Sequence, residues 1–219
     1  MFISPAQSHC IIGLKMAGQE KPASIPADIA TPFVKVDEML YRGGQPLQDR
    51  GIRATHLPQL VHALKYLRDK FGIKTIVNLR SENVDIEKQA IDLLNAEAGE
   101  RKEKRMSFLN IRLNATPNDA SVQEVIDFIA HDTKSPVFVH CKKGENRSGF
   151  FVALYQIIKK QLPFKQIYED MLANGHTPTG KNTRYSSMLG YLLRTRPEFR
   201  QYYSQNKADI ETMMQRVKA

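Results

Sequence analysis

Apolar residues recur at helical spacing from Leu57 to Phe71. Leu60, Val61, Leu64, Leu67 and Phe71 share one face there, and Gly72 supplies a C-terminal stop. The pattern then changes to a short β-branched run, Ile73 to Leu79, of the kind that forms a buried strand. Val84, Ile86, Ile91, Leu93 and Leu94, set among charged residues, predict a second helix, and Phe108 to Leu113 predicts another strand. Asn114 to Ala120 is a polar loop. Ser121 with Glu124 has the form of a capping box, opening a helix over Val125, Ile126 and Ile129. Pro136 to His140 is a further apolar strand. Beyond Ser148 the spacing predicts helices over about 149–160, 164–174, 182–195 and 198–217, separated by Pro163, the Asn174-to-Gly180 turn and Pro197.

Upstream, Phe33 to Pro46 (FVKVDEMLYRGGQP) reads as two short strands turned at Asp37-Glu38, then a Gly-Gly loop. Residues 1–30 are rich in Pro, Ala, Gly and Ser without sustained periodicity. The expected organisation is a flexible leader over 1–30 and one folded domain over 31–219 with a helical C-terminal part. Strands alternating with helices, then a run of helices, indicate the α/β class with helices packed around a central sheet.

Composition narrows the chemistry. A chain of 219 residues buries enough surface to fold without a metal or disulfide staple. Cys10 and Cys141 are its only cysteines, too few for a disulfide framework or a zinc site, so a reducing, cytoplasmic setting is expected. No apolar run is long enough for a membrane span. The short apolar stretch near the start has no Lys or Arg before it, which favours a flexible leader over a secretory signal. Lys and Arg number 32 against 23 Asp and Glu, a formal charge of +9. The one dense basic run, Arg101 to Arg105, is broken by Glu103, and no zinc-finger spacing or RNA-binding signature is present. Nucleic acid is therefore not expected. An anionic substrate competes with a simple surplus of solvated lysine.

The segment that carries chemistry is PVFVHCKKGENRSGFFVALYQII, residues 136–158. A strand leads through Cys141-Lys142-Lys143-Gly144-Glu145-Asn146-Arg147 into Ser148, Gly149 and an apolar helix. A loop ending at a helix N-terminus gathers backbone N–H groups into one concavity, a nest suited to a phosphate dianion. Gly144 permits a positive φ or a close backbone approach. Helix N-termini and nearby cations favour the thiolate form of a cysteine placed as Cys141 is. Arg147 offers a planar two-pronged donor for two phosphate oxygens, alongside the N–H groups of residues 142–147. The Ser148 hydroxyl is placed to hydrogen-bond the sulfur and ease its departure. His140 reads as a buried, hydrogen-bonded organiser.

His-Cys, five residues, then Arg-Ser-Gly resembles the signature loop of the protein tyrosine and dual-specificity phosphatase superfamily. LYRGGQP (Leu40 to Pro46) and GIKTIVNLR (Gly72 to Arg80) extend the resemblance to the small atypical dual-specificity group. That group has bacterial members and a plant-and-fungal branch that cleaves inositol pyrophosphates. The resemblance covers roughly residues 33–175. It implies a mostly parallel sheet flanked by helices and a phosphocysteine intermediate, with no metal or cofactor. The implied partner is a phosphorylated protein or a small polyanionic phosphate. It also places Arg80 at a strand end near the site, where the competing reading is a structural ion pair. A Walker loop is excluded because Gly-Lys-Ser/Thr is missing, and rhodanese-type sulfurtransferases usually have a shorter loop.

The family commonly uses an Asp on a mobile loop as general acid. In IRLNATPNDASVQE the position where that Asp is expected holds Asn114, which cannot donate a proton and regenerate. Asp119 is the candidate acid, against its ordinary use as a helix-start residue. Without an acid, aryl phosphates and pyrophosphate bonds should suffer less than alkyl phosphates. Alternatives to a phosphotyrosine-like or dual-specificity phosphatase are an inositol (pyro)phosphate or phosphoinositide phosphatase and a phosphate-binding pseudophosphatase. Lys142 and Lys143 favour a highly charged ligand or are simply solvated. His56, His62, His131 and His176 show no metal spacing, and Thr177 to Gly180 reads as a turn that can border the pocket.

Overall fold

The computed structural model describes residues 29–30, 32–47, 53–82, 84–113, 119–131 and 134–218. Five strands form one sheet among them: β1 (Phe33–Lys35), β2 (Leu40–Gly43), β3 (Thr75–Asn78), β4 (Ser107–Asn110) and β5 (Val137–His140). Their order is β1-β2-β5-β3-β4, with β1 antiparallel to β2 and every other pairing parallel. β5, which leads into Cys141, is thus central, and its loop opens between those after β2 and β3.

Helices cover both faces. α1 (Leu57–Phe71) and α2 (Val84–Ala98) lie on one side; α3 (Asp119–Ala130), α4 (Asn146–Tyr155), α5 (Phe164–Ala173), α6 (Thr183–Thr195) and α7 (Arg200–Lys218) pack on the other. The alternation of strand side chains divides the core accordingly. Val137 and Val139 of β5 join the cluster under α3–α7, whereas Phe138 joins Ile76 and Leu64 under α1 and α2. The His140 ring stacks on Phe138 at 5.5 Å, which places it on the α1–α2 side.

Local signals set most element bounds. α1 has the predicted limits, and Gly72 closes it with φ 69°. The Asp37 carboxylate accepts the amides of Met39 and Leu40 in the β1–β2 turn. Met213 is buried, and the Met214 side chain lies against Gly190 of α6, so the methionine-rich end is helix packing.

Two expectations need correction. Ser121 does not open α3; the helix begins at Asp119, and the Ser121 hydroxyl donates to the Arg112 carbonyl at 3.0 Å. The helix after the cysteine loop begins at Asn146, three residues before the predicted start, and runs into a π-helical turn over Gln156–Lys160. The expected leader, residues 1–30, lies outside the described residues except for Ile29 and Ala30. Both are buried, and Ala30 bridges to Pro46. Cys10 and Asn114 also lie outside the described residues.

Candidate active site

The loop over Cys141–Glu145 is held in shape from behind by residues distant in sequence. Gly144 has φ 75°, and a β-carbon there would come within 2.5 Å of the Gly43 carbonyl carbon. The Gly-Gly of the β2 loop and Gly144 are thus packed backbone to backbone, and both readings of Gly144 hold. The Gln45 amide donates to the Lys142 carbonyl at 3.2 Å. Arg42, only 1% exposed, donates through Nη2 to the carbonyls of Gly144 (2.6 Å), Glu145 (3.0 Å) and Asn174 (3.4 Å). Burial lowers its basicity, opposed by the charges of Asp170, Cys141 and Glu145.

A second network reaches the loop from α2. His140 is fully buried, with Nε2 3.0 Å and 3.2 Å from the two Glu87 carboxylate oxygens and Nδ1 3.3 Å from the Cys141 carbonyl. Glu87 is equally buried and accepts Asn78 Nδ2 at 2.6 Å, while Asn78 Oδ1 accepts the Arg80 amide. The ends of β3 and β5 are therefore tied to α2 through one carboxylate. A third contact comes from the turn after α5. His176 Nδ1 donates to Asn146 Oδ1 and Nε2 accepts from Ser186 Oγ, both at 2.7 Å. Burial, reinforced by the Arg42 charge, pushes His176 down to about 4, which suits a neutral ring with one donor and one acceptor.

In front of this frame lies a pocket of about 290 Å³. Cys141 forms its base; Lys142, Lys143, Glu145, Asn146 and Arg147 come from the loop. Ser81 and Glu82 line it from beyond β3, and Asn182, Arg184 and Tyr185 from the start of α6. Cys141 is 4% exposed, and its Sγ accepts the Gly144 amide at 3.3 Å. The sulfur is thus hydrogen-bonded by the loop backbone rather than by Ser148, whose buried Oγ has no hydrogen-bond partner among the described residues. Arg147 Nη1 donates to the Leu79 carbonyl at 3.1 Å. Lys142 and Lys143 are exposed. Asp119 is the first residue of α3. Among the described residues no cluster of three His, Cys, Asp or Glu is arranged to hold a metal, and no helix is long and apolar enough to cross a membrane.

Arg42, Glu87 and Asn78 were not singled out from the sequence. An arginine inside the buried run Leu40–Gly43 was the one available signal for Arg42; Glu87, on a charged helix, offered none.

The family model described as DSP-PTPase phosphatase fused to NAD+ kinase matches residues 34–187, well over half of the chain. The dual specificity protein phosphatase TpbA of Pseudomonas aeruginosa is 36% identical over 59 residues. That match covers 26% of this chain and 27% of that protein, so it spans about a quarter of the curated relative's length. Among solved structures, a DUF442 protein of Shewanella putrefaciens aligns with a TM-score of 0.50 at 17% identity, covering 74% of this chain and 89% of that one. TpbA in complex with phosphotyrosine aligns at 0.42 with 20% identity, covering 68% and 75%. The DUF442 structure shares the fold of a mostly parallel sheet between helices.

Proposed function

The chain belongs to the DSP-PTPase phosphatase family described as fused to NAD+ kinase, and on that premise we propose that it hydrolyses phosphate esters through a phosphocysteine formed on Cys141. The observation that carries this reading is the placement of Cys141 Sγ at the base of a loop that donates an amide to it, directly before α4. In the first step the Cys141 thiolate attacks phosphorus and the leaving-group oxygen departs with a proton. In the second, water attacks the phosphocysteine, returns the thiolate and releases phosphate. Arg147 and the amides of residues 142–147 take the phosphoryl oxygens, stabilising charge that spreads over them in transfer. The Ser148 hydroxyl, buried and unpartnered within one residue of Arg147, is suited to turn towards the departing sulfur. A working thiolate requires reducing surroundings, so a cytoplasmic setting is part of the proposal.

Asp119 is the proposed proton donor to the leaving group. The substrate reading is a phosphotyrosine-like or dual-specificity ester. A second reading, a polyanionic substrate such as an inositol (pyro)phosphate, is favoured by the four cations Lys142, Lys143, Arg147 and Arg184 around one pocket. The test is hydrolysis of para-nitrophenyl phosphate in reducing buffer across pH. Turnover abolished in Cys141→Ser supports the phosphatase, and a gain in Asn114→Asp marks an acid missing at that position. Absence of wild-type turnover on this activated ester would count against the ester reading and favour pyrophosphate bonds or binding without turnover.

A further inference from the structure

Besides Arg184 of α6, three arginines stand around the Cys141 loop, and two are engaged. Arg42 donates through Nη2 to loop carbonyls, its buried Nη1 having no partner among the described residues, and Arg147 donates to Leu79. The third, Arg80, directly follows Leu79, the residue on which Arg147 rests. Leu79 in turn donates its amide to the His140 carbonyl, so Arg80 lies beside the start of the cysteine loop. Arg80 is 5% exposed, yet its Nε and Nη1 have no hydrogen-bond acceptor among the described residues. Its ion-pair contact is Glu82 Oε2, 3.6 Å from Nε, and the Glu82 side chain is 63% exposed. A buried guanidinium with unmet donors is costly unless an anion faces it. A structural ion pair would have brought its carboxylate to hydrogen-bonding distance.

We infer that Arg80 is a second guanidinium of the phosphate site, a positioning residue that favours the Cys141 thiolate and the bound phosphoryl group, with Glu82 as its counter-ion. The inference rests on the phosphocysteine reading and adds to it a charge contributed from β3. Burial lowers the Arg80 basicity, and the Arg147 charge adds to this, while Glu82, Glu87 and Cys141 favour its cation. Glu82 is held below the usual carboxylate range. Partial burial opposes this, but hydrogen bonds from its own amide and Ser81 and the charges of Arg80 and Arg147 prevail. The other charged or titratable groups around Cys141 are Arg42 from β2, the neutral phenol of Tyr185 and Arg184 from α6, Lys142, Lys143, Glu145 and Arg147 from its own loop, and the buried pair of His140 and Glu87 behind it. Among the described residues Arg80 leaves two buried donor nitrogens without an acceptor, against one on Arg42. Glu82 lines the pocket whereas Arg80 does not, so a phosphate dianion entering there meets the Glu82 carboxylate and feels the Arg80 charge from beside the pocket.

The test combines two readouts that a merely structural Arg80 would not move. One is the pH dependence of iodoacetamide alkylation, followed on the Cys141 peptide by mass spectrometry; the other is inhibition by orthovanadate. Arg80→Met is expected to move the alkylation midpoint up by about one pH unit and to weaken vanadate about tenfold. Arg80→Lys should restore much of both. Glu82→Gln, on an exposed side chain that folding does not need, should move the midpoint down and tighten vanadate. Should Arg80→Met fail to fold, Glu82→Gln decides alone. Wild-type midpoints and vanadate affinity in folded Arg80→Met, or no movement in Glu82→Gln, would overturn the inference. Cys141→Ser, which tests the phosphatase itself, would be untouched by that failure.

Discussion

The floor of the Cys141 pocket is held by buried side chains drawn from distant parts of the chain, whereas its rim consists largely of exposed ones. Arg42, Asn78, Glu87, His140 and His176 are each at most 2% exposed, and each belongs to a chain of hydrogen bonds that ends on the loop or on Asn146 directly after it. Lys142 and Lys143 are exposed, and Glu82 leans on Arg80 at a distance longer than a hydrogen bond. A phosphoryl-transfer site gains most from fixed geometry, since misplacement of the reacting groups by an ångström can cost a hundredfold. Recognition of different substrates needs charge at the mouth, where side chains can change without cost to the frame. The contrast assigns chemistry to the floor and selectivity to the rim.

The largest expected effect comes from breaking the floor. Arg42→Met keeps the bulk but leaves the Gly144 and Glu145 carbonyls without their buried donor. It should cost about 2–4 kcal/mol of stability in a urea titration. Turnover at a temperature where the variant is still folded should fall about a hundredfold. A variant with full turnover would show that the loop keeps its shape without this arginine.

The His176 contact sharpens the comparison through pH. The ring is held at about 4 in the folded chain against 6.5 when unfolded, so the unfolded state takes up the proton first on acidification. The stabilisation is present above pH 6.5 and is lost as pH falls towards 4. Wild type should lose about 2–3 kcal/mol more than His176→Gln across that window in urea titrations at each pH. Parallel curves would mean that His176 is not buried as a neutral ring.

How much of this was legible follows from the range of each interaction. The strand, the loop and the apolar helix around Cys141 are written in adjacent residues, and so is the demand for glycine at 144. Helix α1 was bounded by its own periodicity and Gly72. Arg42 meets Gly144 across 102 residues, and His140 meets Glu87 across 53. Those pairings depend on β2, β3 and β5 lying side by side and on α2 covering one face, which no local pattern encodes. Ser121 misled for a related reason: its hydroxyl satisfies a carbonyl of the preceding strand's exit, a tertiary use that imitates a cap.

The smallest effect is expected at the rim. Lys142→Ala and Lys143→Ala should each leave stability within about 0.5 kcal/mol of wild type, because nothing buried depends on them. Their KM for an inositol polyphosphate should rise several-fold more than for para-nitrophenyl phosphate, and the difference should shrink at high salt. Equal changes for both substrates would place the lysines with the floor.

The central claim is that phosphate leaves its ester onto Cys141. It is tested most directly by acid-quenching the enzyme within its first turnovers of para-nitrophenyl phosphate and mapping phosphate by mass spectrometry. A phosphoryl group on the Cys141 peptide, absent from Cys141→Ser, is the predicted result. Turnover with an unmodified Cys141 peptide, or with phosphate on another residue, would contradict it.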